Sequence, residues 1–114
     1  EPILPGEPPG SESVLKRMIR NAPNDAWARR EYALSLAAVN RMEEGFEHVE
    51  VAKLVEPNSP SNFYTLGHLY HRSDKYEEAR DTYQEAIRKS VDNDVAIVEL
   101  FNIARDVGEK RKPS

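Results

Sequence analysis

At 114 residues and 13.0 kDa the chain is long enough for one compact domain and too short for two ordinary ones. It holds no cysteine, which excludes disulfides, thiol nucleophiles and thiolate metal sites. A formal net charge of −4 and a pI near 5.4 argue against a chain built to grip nucleic-acid phosphates, and no apolar run approaches the roughly 18 residues a membrane helix needs.

Residues 1–10 carry Pro2, Pro5, Pro8 and Pro9, four of the eight prolines. Proline fixes φ and removes an amide donor, so this stretch is expected to be an extended linker or arm outside the fold. A proline-rich recognition ligand is the rival reading of the same residues. The chain opens on Glu1 and not on methionine, which suggests a processed protein or a piece of a longer one.

From Ser13 onward the chain is periodic. Shifted by 34 residues, Arg29, Tyr32, Ala33 and Leu36 fall on Phe63, Leu66, Gly67 and Tyr70, and these on Ile97, Leu100, Phe101 and Ala104. Each quartet has the i, i+3, i+4, i+7 spacing of one helical face. Gly45, Val49 and Ala52 fall likewise on Ala79, Tyr83 and Ala86, and Val49, Ala52, Lys53 and Pro57 map back onto Leu15, Met18, Ile19 and Pro23. In chain order the spacing predicts a half unit over Ser13–Asn21 and a helix pair over Asp25–Val55. A second pair follows over Pro60–Lys89, then a last helix over Asp94–Val107 and a basic tail over 108–114.

Asn40 is placed to end the first helix of its pair in a left-handed conformation. In the next pair, Phe63 to Arg72 and Tyr76 to Lys89 read as the two helices. Ser59 is the expected cap and Pro60 suits the opening turn, while Asp74 and Glu77 have the spacing of a capping box. Small residues at Gly67, Ala79 and Ala86 let the helices approach closely, beside Tyr70 and Tyr83. Phe101 stands where Ala33 and Gly67 stand, a place too crowded for a large side chain if a further helix packed there. Asp94–Val107 is therefore expected to be a terminal capping helix.

The 34-residue period, the string Leu66-Gly67…Tyr70…Tyr76…Ala79…Tyr83…Ala86 and the closing Pro57 resemble the tetratricopeptide repeat (TPR). The resemblance covers residues 11–107, with full repeats at about 26–59 and 60–93 and the capping helix at 94–107. It implies an all-α fold, a right-handed α-α superhelix of about six antiparallel helices. Three positions depart from the family pattern: Arg29 replaces a bulky apolar residue, Lys53 an aliphatic one, and Val91 the closing proline.

In such a fold the first helix of each pair lines the concave side. The 34-residue lattice then aligns Trp27 with Ser61 and Val95, Arg30 with Tyr64 and Val98, Leu34 with His68 and Asn102, and Ala37 with His71 and Arg105. Aromatic and arginine anchors on such a face are how peptide grooves gain affinity. The candidate groove is Trp27, Arg30, Leu34, Tyr64, His68, His71, Val98, Asn102 and Arg105; the competing structural reading packs Trp27 and Leu34 against Ser13–Asn21 or the arm. Some TPR proteins clamp the carboxylate ends of chaperone tails. Here the matching places hold Arg30, Leu34, Thr65, Val95 and Glu99, of which only Arg30 suits that role, so a carboxylate clamp is not expected.

His68 and His71, at i and i+3 with Asp74 one turn on, are spaced to share an ion but lack an evident third ligand; ordinary exposed helical histidines are the expected reading, and a pH-responsive role in the groove is favoured over a metal site. No catalytic triad spacing, phosphate-cradling loop or paired-carboxylate motif is present. Glu43, Glu44, Glu47 and Glu50 read as a solvated face. Lys16, Arg17, Arg20, Arg29 and Arg30 make the first third basic by comparison; ordinary surface salt-bridging is the expected reading, with orientation of a partner or head-to-tail stacking of copies as the rival. Lys110-Arg111-Lys112 alone is too little to indicate nucleic acid or lipid.

The expected function is a non-enzymatic protein-interaction module, without cofactor, that binds a peptide or helix of a partner. The alternatives are a self-assembling scaffold, including weak self-association, and an accessory domain of a larger enzyme or membrane-anchored protein. A cytoplasmic setting is favoured over a periplasmic or tethered one, although a cysteine-free chain fits either redox environment.

Overall fold

A computed structural model describes residues 11–90 and 94–111, so the proline arm, Val91 and Lys112 lie outside the described residues. All regular structure among them is helical: α1 (Glu12–Asn21), α2 (Ala26–Ala38), α3 (Met42–Val55), α4 (Pro60–Arg72), α5 (Tyr76–Lys89) and α6 (Asp94–Arg111). The chain divides into two compact units, one ending at Asn58 and the other beginning at Ser59.

In the first unit α1 packs on α2 and α2 on α3. The Asp25 carboxylate accepts from the Ala28 amide at 3.0 Å and Ser11 Oγ from the Val14 amide at 3.4 Å, closing the starts of α2 and α1. Leu15, Ala28, Tyr32 and Leu36 form the core, with Met18 and Ile19 against it. Ala33, Val49 and Ala52 are also fully buried. In the second unit α4 packs on α5, and α6 lies on both. Its core is Ala79, Tyr83, Ala86 and Ile103, flanked by Phe63, Tyr64, Tyr70, Tyr76, Ile87, Leu100 and Val107.

The repeat extends to backbone detail. Among the described residues Asn40 (φ 63°) and Asp74 (φ 61°) are the non-glycine residues with left-handed backbone, and they stand 34 positions apart. Around them the Arg41 amide donates to the Leu36 carbonyl and the Lys75 amide to that of Tyr70, both at 2.9 Å. These six-residue closures reverse the chain within three residues, so each pair is an antiparallel hairpin. The Ala22 and Glu56 amides likewise donate to the Met18 and Ala52 carbonyls at 2.8 Å, which identifies α1 as the counterpart of α3.

Four local expectations change. Asp74 is not the cap of a capping box: it takes the left-handed place itself, Lys75 precedes α5, and the Asp74 carboxylate accepts instead from the Tyr76 hydroxyl at 2.9 Å. Ser59 precedes α4 without a side-chain capping bond, and α4 starts at Pro60, whose fixed φ suits the first turn. The last helix runs four residues beyond Val107, because Glu109, Lys110 and Arg111 are good helix formers and a single Gly108 is a small penalty. Ala37, aligned with the outward row, is fully buried, since it follows Leu36 and lies one turn beyond Ala33 on the inner side of α2.

Close approach of α4 and α5 rests on Gly67. A Cβ there would lie 2.7 Å from two ring carbons of Tyr83, itself fully buried. In the first unit the same two places hold Ala33 and Val49, both at 0% exposure, so a smaller partner leaves room for a methyl.

Candidate binding faces on the first helices

In the first unit the outward side of α2 carries Trp27, Arg30 and Leu34. Trp27 is 49% exposed, although Ala26 and Ala28 on either side are buried. Leu34 is half-buried. The Arg30 side chain, only 11% exposed, donates from Nη1 to Glu56 Oε1 at 2.8 Å. Arg30 thus joins α2 to the residue that ends α3 and stands as a fixed positive edge beside Trp27.

Arg29, which departs from the apolar family pattern, is satisfied from two sides. Its Nε donates to the Pro23 carbonyl at 3.1 Å, and Nη1 lies 3.0 Å from His48 Nδ1. A guanidinium only donates, so Nδ1 must accept and His48 is neutral, with its proton on Nε2. Burial and the Arg29 charge push His48 below the ordinary histidine value, in agreement with that tautomer. The imidazole meets Tyr32 edge-on at 4.8 Å. Sequence reading passed over His48; its signal was an arginine in an apolar repeat position, which needs an acceptor.

In the second unit α4 and α6 together bound a cleft of about 340 Å³ lined by His68, His71, Arg72, Asp74, Tyr76, Glu99 and Asp106. His71 Nε2 is 2.7 Å from Asp106 Oδ2, and Nδ1 is 3.5 Å from Glu99 Oε2. This hydrogen bond holds the Asp106 carboxyl below its usual range. The ring also meets Tyr76 edge-on at 5.7 Å. His71 therefore ties α4 to α6. His68 is half-buried, its Nδ1 has no hydrogen-bond partner among the described residues, and burial lowers its pKa.

The remaining groove candidates occupy varied places. Tyr64 is half-buried, 6.0 Å from the Tyr83 ring; Val98 is 55% exposed; Asn102 is half-buried; Arg105 is exposed, with Nε 3.6 Å from Asp106. Val95 lies outside the described side chains. The structure thus gathers His68 and His71 with Glu99 and Asp106, two carboxylates not singled out as groove residues. Their lattice counterparts, Thr65 and Arg72, gave no hint of a shared site. The cleft is acceptor-rich. Among the described residues no group of His, Asp and Glu is arranged to hold a metal ion, and no helix is long and apolar enough to cross a membrane.

No protein-family model and no curated protein matches the sequence. Among solved structures, the crystal structure of MamA is similar, with a TM-score of 0.67 and 18% identity over 86% of this chain. The chain spans 57% of the length of that protein. At such identity the likeness shows the fold: an all-α, TPR-like helical repeat of the α-α superhelix type.

Proposed function

We propose that the chain is a divergent member of the TPR family and works as a non-enzymatic protein-interaction module. Its partners dock on the outward sides of the first helices, α2 in the first unit and α4 with α6 in the second. The observation that carries this reading is Trp27. The one tryptophan of the chain is half-exposed on a helix whose opposite side is fully buried, and it has a charge-fixed arginine one turn away. Burying an aromatic surface of that size against a partner supplies a large share of a peptide's binding energy, and tryptophan and arginine are the residues in which such energy concentrates. In the second unit Glu99 and Asp106 offer acceptors to the backbone amides or cationic side chains of a bound segment, and Arg72 offers donors.

The test is selection of binding peptides from a random library on the intact chain. Trp27 fluorescence reports contact in the first unit, and calorimetry measures affinity for the variants. Selected peptides are expected to shift the Trp27 emission to the blue or to lose at least tenfold in affinity with Trp27→Ala or His68→Ala. Peptides whose affinity ignores both replacements and instead responds to changes on α3 or α5 would overturn the assignment.

A further inference from the structure

The Arg29–His48 pair belongs to the first unit only. Its lattice counterparts are Phe63 and Thr82, neither of which changes charge near neutrality. Thr82 donates its hydroxyl to the Glu78 carbonyl in its own helix at 2.6 Å, and Phe63 packs against the apolar core. In the first unit α2 is instead held to α3 by two polar ties near its start, Arg29 to His48 and Arg30 to the Glu56 that ends α3. Trp27 stands one turn before Arg30. The placement of the binding face therefore depends on these two ties.

One of them contains a histidine, the side chain that changes charge near neutrality. The Nδ1 lone pair of His48 accepts an Arg29 N–H at 3.0 Å, and with Nε2 already protonated it is also where the ring takes its second proton. Proton and guanidinium therefore exclude each other. A proton on Nδ1 sets two cations in contact where a hydrogen bond stood, and Arg29 has to withdraw. From α2 the ring also faces Tyr32, edge-on at 4.8 Å, and from α3 it feels the Glu44 and Glu47 carboxylates. Glu44 is held by Arg41 through bonds of 2.9 and 2.7 Å. Arg41 reaches Glu12 of α1 at 3.5 Å, where Lys16 also pairs. Burial, and after it the Arg29 charge, outweigh the two carboxylates and keep His48 below the ordinary histidine value.

We propose that His48 is an acid switch for the binding face of the first unit: protonation at Nδ1 expels Arg29, frees the start of α2 from α3 and releases a partner held on Trp27. This rests on the docking of partners on α2 and adds its regulation. The neutral ring is the binding-competent form, so affinity is level from pH 8 to about 6.5 and falls below that. His48 acts as a positioning residue, through Arg29, and does not itself touch the partner.

The test uses a histidine-free peptide whose affinity for the intact chain depends on Trp27 and not on His68. Calorimetry runs from pH 8 toward 5.5, over the range in which far-ultraviolet circular dichroism is constant. Binding is expected to weaken about fivefold or more across it. His48→Asn places an amide oxygen where Nδ1 stands and does not titrate, so its affinity should be level. Arg29→Leu, with an apolar residue as at Phe63, should also be level. Affinity that ignores pH in the parent chain, or falls as steeply in His48→Asn, would overturn the proposal. Proton NMR without peptide scores the switch separately, by following the His48 ring and the Trp27 indole from pH 8 to 5. The two should titrate together, and the Trp27 shift should vanish in His48→Asn. A Trp27 signal that stays still while His48 titrates sinks the switch and leaves docking on α2 standing. Absence of any Trp27-dependent peptide sinks the docking, and with it the release of a partner, whatever the titration shows.

Discussion

Gly67→Ala tests the packing of α4 on α5 directly. On an isolated helix the change stabilises by about 1 kcal/mol, because glycine loses the most backbone entropy on folding. Here the new methyl carbon would sit 2.7 Å from Cδ1 and Cε1 of Tyr83. That ring is fully buried and packed beside Ala79, Ala86 and Ile103, so it has little room to retreat. Overpacking of this kind costs about 1–3 kcal/mol, which leaves a net loss of about 1 kcal/mol, within bounds of about 0 to 2. The first unit shows the remedy: Ala33 stands opposite the lattice position of Val49, not of a tyrosine. In a double-mutant cycle, Tyr83→Val alone loses much buried surface, yet Gly67→Ala should cost nothing further in its presence. The coupling is expected to be about 1–2 kcal/mol in favour of the pair. Urea unfolding followed by far-ultraviolet circular dichroism gives all four stabilities. A Gly67→Ala protein more stable by the full propensity gain, or a cycle with no coupling, would show that the helices do not approach as described.

Tyr83→Phe should raise stability by about 1 kcal/mol in the same assay, against the usual direction, because the buried Tyr83 hydroxyl has no hydrogen-bond partner among the described residues and burial pushes its pKa upward. Asn40→Val should destabilise by about 1–2 kcal/mol, since a β-branched residue is strained at φ 63°, and Asn40→Gly should not. The histidines set the pH response. His48 and His68 are both held below the unfolded value near 6.5, so their contribution is fully present above that pH and is lost as pH falls through their folded values. The urea midpoint is expected to be level between about pH 7 and 8 and to drop toward pH 5, with a shallower drop in His48→Gln. Glu12, Glu44 and Asp106, held below their own ordinary values, act only in the more acid range and do not confuse the comparison.

The period of 34 residues was legible because close helix packing repeats a demand for small residues at fixed places: Gly67, Ala79 and Ala86, and before them Ala33, Gly45 and Ala52. Each is buried, and the left-handed Asn40 and Asp74 fall in register with them. The helix count, the order of the pairs and the boundaries of α5 followed from local patterning alone, since hydrophobic spacing and turn chemistry act between residues close in the chain. The exposed side of α2 was also legible at Trp27, a large aromatic set outside the core positions.

Tertiary structure alone decided what the polar side chains do. A lattice alignment can set His71 on an outward row, but it takes the approach of α6 to place Asp106 2.7 Å from its Nε2 and Glu99 beside its Nδ1. It likewise takes α3 to turn Arg29 and His48 into a donor and its acceptor, and to hold Arg30 on Glu56. Helical periodicity fixes which way a side chain leaves its own axis. Which charge or hydrogen-bond partner waits there depends on residues 19 to 35 positions away in the chain, and only the folded packing brings them within reach.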